Sequence, residues 1–140
     1  MSGGQIPTKA SDYMVRDVVL VKEWQPIAHA RQLMLTHSFS FLPVFLNNEW
    51  KLISELSIAK FLPLSLTRSQ RELRLAKSID KAQAEGLDLI STSPVLADSD
   101  VTTLLRNHDP KEPAIWLVAD TYDIEKRDSL QGVLTPFELM

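Results

Sequence analysis

The chain has 140 residues, of which 44% are apolar and 24% charged, and its net charge is −3. That is enough apolar material for one compact domain or two paired half-domains, and the acidic balance argues against a role built on nucleic-acid electrostatics, which needs a basic surface. It has no cysteine, which excludes disulfide scaffolds, cysteine zinc sites and thiol nucleophiles.

The first residues are small and polar, and residues 1–10 are expected to form a flexible arm. No basic segment leads into an apolar run as in a secretory signal, and no run approaches the ~20 apolar residues of a membrane helix. The expected setting is the cytoplasm, without membrane contact. The ends suit either a piece of a longer protein or a complete short one.

Residues 17–21 (DVVLV) are β-branched and apolar, a short strand. Pro26 suits a first helical position, and Ile27, Ala30, Leu33 and Met34 share one helical face. His37 and Ser38 end that helix. Residues 41–46 (FLPVFL) read as a buried strand in which Pro43 fits a start or an edge, not the centre. Asn47-Asn48 is a turn pair, residues 50–56 the return strand, and residues 58–62 a short helix stopped by Pro63. Residues 66–86 are charged and free of proline, and are expected to form one connecting helix, with Gly86 just past its end.

The earlier pattern then returns. Residues 87–95 are extended. Asp98 or Ser99 can cap a helix carrying Val101, Leu104 and Leu105. Residues 114–119 are a strand, 120–128 a charged loop and 130–134 a strand. Pro136 starts a last helix that Thr135 can cap. One unit of strand, helix, strand, turn, strand and short helix therefore occurs twice, with Ser57 and Thr135 at matching points 78 residues apart. A lone unit this small would struggle to bury its sheet, and two units packed sheet against sheet solve that problem. The pattern predicts a mixed α/β (α+β) fold with pseudo-two-fold symmetry, each unit a small, mostly three-stranded sheet with two helices.

Three stretches carry a family likeness: Tyr13-Met14 with Asp17-Val18-Val19, the run from Leu33 through Leu42-Pro43-Val44, and the run from Leu130 through Gly132-Val133-Leu134-Thr135 to Leu139. In order and duplication they resemble tandem cystathionine-β-synthase (CBS) repeats, a Bateman module. The resemblance divides the chain into a first repeat at 11–65, a linker helix at 66–86 and a second repeat at 87–140. It implies a non-catalytic regulatory module. Such pairs often bind AMP, ADP, ATP or S-adenosylmethionine between the repeats. They commonly form homodimers and regulate an attached or associated enzyme or transporter.

Mapped onto this chain, the family's binding turn places Gly132, Thr135 and Glu138 in the second copy. Gly132 permits close backbone approach, Thr135 offers a hydroxyl, and Glu138 stands where the family prefers aspartate. The alternative is that Thr135 caps the last helix and Glu138 adds first-turn charge. In the first copy Ser57 keeps the hydroxyl, but Lys60 replaces the carboxylate with the opposite charge. Ser40 and Pro43 lie in the preserved loop of that copy, whereas residues 109–117 of the second copy lack the matching proline. A degenerate pair acting as a ligand-free dimerisation or interaction scaffold is therefore the second reading.

No constellation points to catalysis: there is no nucleophile elbow, phosphate loop or glycine-rich dinucleotide run. His29, His37 and His108 lack metal-ligand spacing. Arg68, Arg71, Arg74, Lys77 and Lys81 read as a solvated helix face balanced by Glu72, Asp80 and Glu85. Trp116 is expected in the core, and Trp24 partly exposed.

Overall fold

The computed structural model describes residues 6–120 and 129–140. The start of the expected arm (residues 1–5) and the expected charged loop after Asp120 lie outside the described residues. In chain order the elements are α1 (Ala10–Tyr13), β1 (Val21–Lys22), α2 (Ile27–His37), β2 (Phe41–Leu46), β3 (Glu49–Ser54) and α3 (Glu55–Phe61). There follow α4 (Arg68–Leu75), α5 (Ile79–Ala84), β4 (Ile90–Ser91), β5 (Val95–Leu96), α6 (Val101–Arg106), β6 (Trp116–Ala119), β7 (Leu130–Leu134) and a 3-10 turn (Pro136–Leu139). None of the described helices is long and apolar enough to cross a membrane.

These elements form two compact units. The first is Val19–Thr92; the second joins the chain up to Val18 with Ser93–Met140. The fold class is the mixed α/β one that the sequence pattern predicts, with one small sheet in each unit.

In the first unit the strand order is β1-β2-β3-β4. Strands β2 and β3 pair antiparallel from Phe41–Ser54 to Leu46–Glu49. The hairpin between them turns on Asn47 and Asn48, at φ 54° and 61°. Two positive φ values give the turn a twist that matches the strands, and asparagine tolerates them. Pro43 stands third in β2, not at its start. The reason is local: β1 is only two residues long and pairs with Val44 and Phe45, so Pro43 lies outside that ladder. Residues 17–20 are correspondingly not a strand. The core gathers Val21, Ile27, Ala30, Met34, Leu42, Val44, Ile53, Ile58 and Phe61 with Ile79, Ala82 and Leu87.

In the second unit the order is β5-β6-β7, with β5 and β6 parallel and β6 and β7 antiparallel. Its core joins Ala10 and Met14 to Val101, Val118 and Leu134. The half-buried Trp116 packs against it.

The boundaries differ from a linear division, and one hydrogen-bonding device explains why. The first turn of a helix leaves backbone N–H groups without an internal partner. In the first unit the Ile27 N–H at the start of α2 donates to the Lys77 carbonyl at 2.9 Å. In return, the N–H groups of Ile79 and Asp80 at the start of α5 donate to the carbonyls of Gln25 and Glu23, both at 3.0 Å. The second unit repeats the arrangement. The Val101 N–H of α6 donates to the Thr8 carbonyl at 2.7 Å, and those of Ala10 and Ser11 of α1 donate to Ser99 at 2.8 Å and Ala97 at 2.9 Å. Each unit is thus clasped by a short helix whose start answers the start of a core helix.

The clasps redraw three expectations. Ala10, at the end of the expected flexible arm, is fully buried. Residues 11–18 belong with the second unit, tied further by the exchange of N–H···O bonds between Val15 and Val133 at 2.8 and 3.0 Å. The single helix expected over residues 66–86 is broken into α4 and α5, because Lys77, Ile79 and Asp80 bond to the start of α2 and the segment before it. At the start of α5 the Ser78 hydroxyl donates to Asp80 Oδ1 at 2.5 Å and holds that carboxyl below its usual range. Gly86 follows α5 at φ 118°, as a helix-ending glycine does.

The cap of α6 is Asp100, two positions beyond Asp98. Its Oδ2 accepts from the Thr103 N–H at 3.0 Å and from the Thr103 hydroxyl at 2.9 Å. Asp100→Ala should cost about 1 kcal/mol of stability by urea denaturation, while Asp98→Ala should be near neutral. Equal effects would contradict the assignment.

Candidate functional site

At the end of β7 the chain turns through Thr135 into the 3-10 turn. The Thr135 N–H donates to Glu138 Oε2 at 2.8 Å, and the Thr135 hydroxyl donates to the same oxygen. The two sequence-predicted side chains are therefore in contact, both half-buried. One carboxylate oxygen carries both bonds. Gly132, three positions before Thr135, has a specific packing role. A Cβ there would sit 2.6 Å from Met14 Sδ and 2.9 Å from the Val15 carbonyl oxygen. The absence of a side chain admits the N-terminal segment against β7, so close approach at Gly132 is made by this chain's own backbone.

The matching turn of the first unit is closed more tightly. Ser54 caps α3: its Oγ accepts from the Ser57 N–H at 3.0 Å, while the Ser54 N–H donates back to Ser57 Oγ at 3.3 Å. The two hydroxyls lie 2.5 Å apart, and both residues are buried. The Ser57 hydroxyl is thus engaged inside the cap. Lys60 is exposed in the last turn of α3. Pro43 is buried inside β2, and its Cα partner on β3 is Leu52. Ser40 is at the surface, where its hydroxyl donates to Glu55 Oε1 at 3.3 Å. The structure brings Thr135 together with Glu138, and Ser40 together with Glu55. It leaves Lys60 and Ser57 apart in chemical terms, one solvated and one capped.

Ser40 and Glu55 border a surface hollow of about 480 Å³ between α2, α3 and the start of α4. Arg31 and Arg71 also line it. Sequence reasoning missed Arg31 and read Arg71 as part of a solvated face. That face is in fact divided. Arg68 pairs with Glu72 at 3.2 Å and Lys77 with Glu85 at 2.6 Å. Arg71 Nη1 and Arg74 Nη1 instead reach back to the carbonyls of Leu62 at 3.0 Å and Phe61 at 2.8 Å, at the C-terminal end of α3. Cations there complement the negative helix end. The proline-free run after Pro63 was the available signal: it forms a helix whose arginines reach those carbonyls.

Two of the three histidines make ring contacts. His37 stacks on Phe39 at 5.3 Å, and His108 meets Trp116 edge-on at 5.6 Å. Trp24 is 62% exposed, with the Lys22 ammonium 6.0 Å above its ring.

No family model and no curated protein matches this sequence. Solved structures match the fold closely. A proposed archaeal homolog of γ-AMPK from Methanocaldococcus jannaschii aligns over 94% of this chain with a TM-score of 0.71 and 12% identity. This chain spans about half of that protein, 46% of its length. The protein CBSX2, solved in complex with AMP, aligns over 95% of this chain and 93% of its own, with a TM-score of 0.66 and 17% identity. The CBS domain pair of protein MJ0100, solved with 5′-methylthioadenosine and S-adenosyl-L-methionine, aligns over 94% of this chain and 96% of its own, with a TM-score of 0.65 and 16% identity. The chain has the fold of a tandem CBS pair, as the sequence resemblance implies.

Gly132→Ala isolates the packing at the turn. The added methyl must displace Met14 and press on a hydrogen-bonded backbone carbonyl, so a loss of about 1–3 kcal/mol is expected in urea denaturation. An unchanged midpoint would show that the glycine is not required by the N-terminal segment.

Proposed function

We propose that this chain is a non-catalytic regulatory module that takes an adenosyl ligand, AMP, ADP, ATP or S-adenosylmethionine, at the Thr135–Glu138 turn. The observation that carries the reading is the pairing of a hydroxyl and a carboxylate at a strand-to-turn junction. A carboxylate has two oxygens, and the internal box uses Glu138 Oε2. The second oxygen suits a ribose hydroxyl, a neutral donor that a carboxylate binds by a charge-assisted hydrogen bond. Glutamate in place of the family's aspartate moves that oxygen outward by one methylene. The similarity to CBS pairs solved with AMP and with S-adenosyl-L-methionine supports the ligand class. Gly132 backs the turn by admitting the N-terminal segment against β7. At the first unit's own turn Ser40 and Lys60 are the exposed candidates, while Pro43 and Ser57 are buried. Lys60 would meet a phosphate, not a ribose.

A second reading is a ligand-free scaffold, and the first unit favours it. Its turn has Ser54 at the cap position that Thr135 holds in the second unit and Ser57, not a carboxylate, at the position of Glu138, and the Ser57 hydroxyl is held by Ser54. Both readings include a homodimer acting on an attached or associated enzyme or transporter.

A thermal-shift series with the four ligands separates them. A ligand present at about 100 times its dissociation constant, binding only the folded protein, adds about 2.7 kcal/mol. The sensor reading expects a raised melting temperature with one adenosyl compound, lost in Glu138→Ala. No shift at millimolar ligand would reject it in favour of the scaffold. Sedimentation of the same samples reads the assembly, and a monomer at high concentration would reject the homodimer.

A further inference from the structure

The hollow of the first unit has a composition that the Thr135–Glu138 turn lacks. Its floor is apolar: Met34 of α2 with Ile58 and Leu62 at the end of α3. Its charged side chains are Arg31, Arg71 and Glu55. Two guanidinium groups against one carboxylate leave a net charge of one positive unit. Neither arginine is in an ion pair among the described residues. Glu55 already accepts the Ser40 hydroxyl. Arg71 spends Nη1 on the Leu62 carbonyl, which fixes its head group at the rim, and a guanidinium has five N–H donors. The volume, about 480 Å³, lies within the range of small-molecule sites.

We infer that this hollow is a second ligand site, for a small amphiphilic monoanion: a short fatty acid or aryl carboxylate whose head group pairs with Arg31 and Arg71 and whose apolar body lies on Met34, Ile58 and Leu62. Arginine suits the role because its planar fork matches a carboxylate in two parallel hydrogen bonds. The single excess charge fits one anionic group. The floor offers few donors or acceptors for the edges of a heterocyclic base, so an alkyl or aryl body is the better match. Phe39 and Leu35, 41% and 62% exposed, extend the apolar surface at the rim.

The test uses the full chain and the fluorescent aryl sulfonate 8-anilinonaphthalene-1-sulfonate as probe, with octanoate and AMP as competitors. The expected result is one bright, saturable site on the cooperatively folded protein, displaced by octanoate and not by AMP. Arg31→Gln, an exposed change that touches no backbone bond, should weaken the probe about tenfold. Ala59→Phe, which fills the lined wall without altering charge, should abolish binding. Arg71→Gln should weaken it as well, and Arg31→Gln keeps the test decisive if the Arg71 variant loses stability with its bond to Leu62. No bright site, a site insensitive to both Arg31→Gln and Ala59→Phe, or displacement by AMP but not by octanoate would overturn the inference. None of these variants touches Thr135 or Glu138, so failure here is distinguishable from failure of the adenosyl reading.

Discussion

Each unit depends on one constraint: the N–H groups at the start of a core helix need partners, and a distant segment supplies them. Ile27 donates to Lys77 while Ile79 and Asp80 donate to Gln25 and Glu23; Val101 donates to Thr8 while Ala10 and Ser11 donate to Ser99 and Ala97. An unpartnered buried amide costs about as much as several ordinary stabilising contacts, and the exchange partners six amides at four helix starts through the backbone. It also brings Ile79 and Ala82 into the first core and Ala10 into the second, all with no exposed surface. Neither α1 nor α5 is long enough to be stable alone. Their helical form is a consequence of docking.

That origin explains what the sequence displays and what it hides. The β2–β3 hairpin and α2 are legible because their patterns are local: the continuous apolar run of residues 41–46, helical spacing from Ile27 to Met34, and the Asn47-Asn48 turn. Gly86 is legible because a helix-ending glycine needs only its own φ. The clasps are not legible, because backbone-to-backbone bonds leave no side-chain signature. The break between α4 and α5 therefore passes for continuous helix, and residues 8–10 for part of a loose arm. Asp100 is missed in favour of Asp98 and Ser99 because several residues able to cap stand in a row, and the choice among them is made by where Val101 is anchored.

The candidate site shows the same division. Thr135 and Glu138 lie three apart, so their contact follows from spacing. The closure of Ser57 by Ser54 follows from spacing too, yet a family comparison draws the eye to Lys60 and away from Ser54. Gly132 reverses its expected sense: the close approach is real, but Met14 and Val15 make it. Arg31 and Arg71 come together only through tertiary packing of α2 against the helices that follow.

Native-state amide hydrogen exchange at Ile27, Ile79, Asp80, Ala10, Ser11 and Val101 tests the central claim most directly. If the clasps close the units, these helix-start amides exchange as slowly as those of the paired strands β2 and β3, through global opening. Exchange at the rate of exposed loop amides would show that α1 and α5 are peripheral, and the account of how each unit is completed would fail.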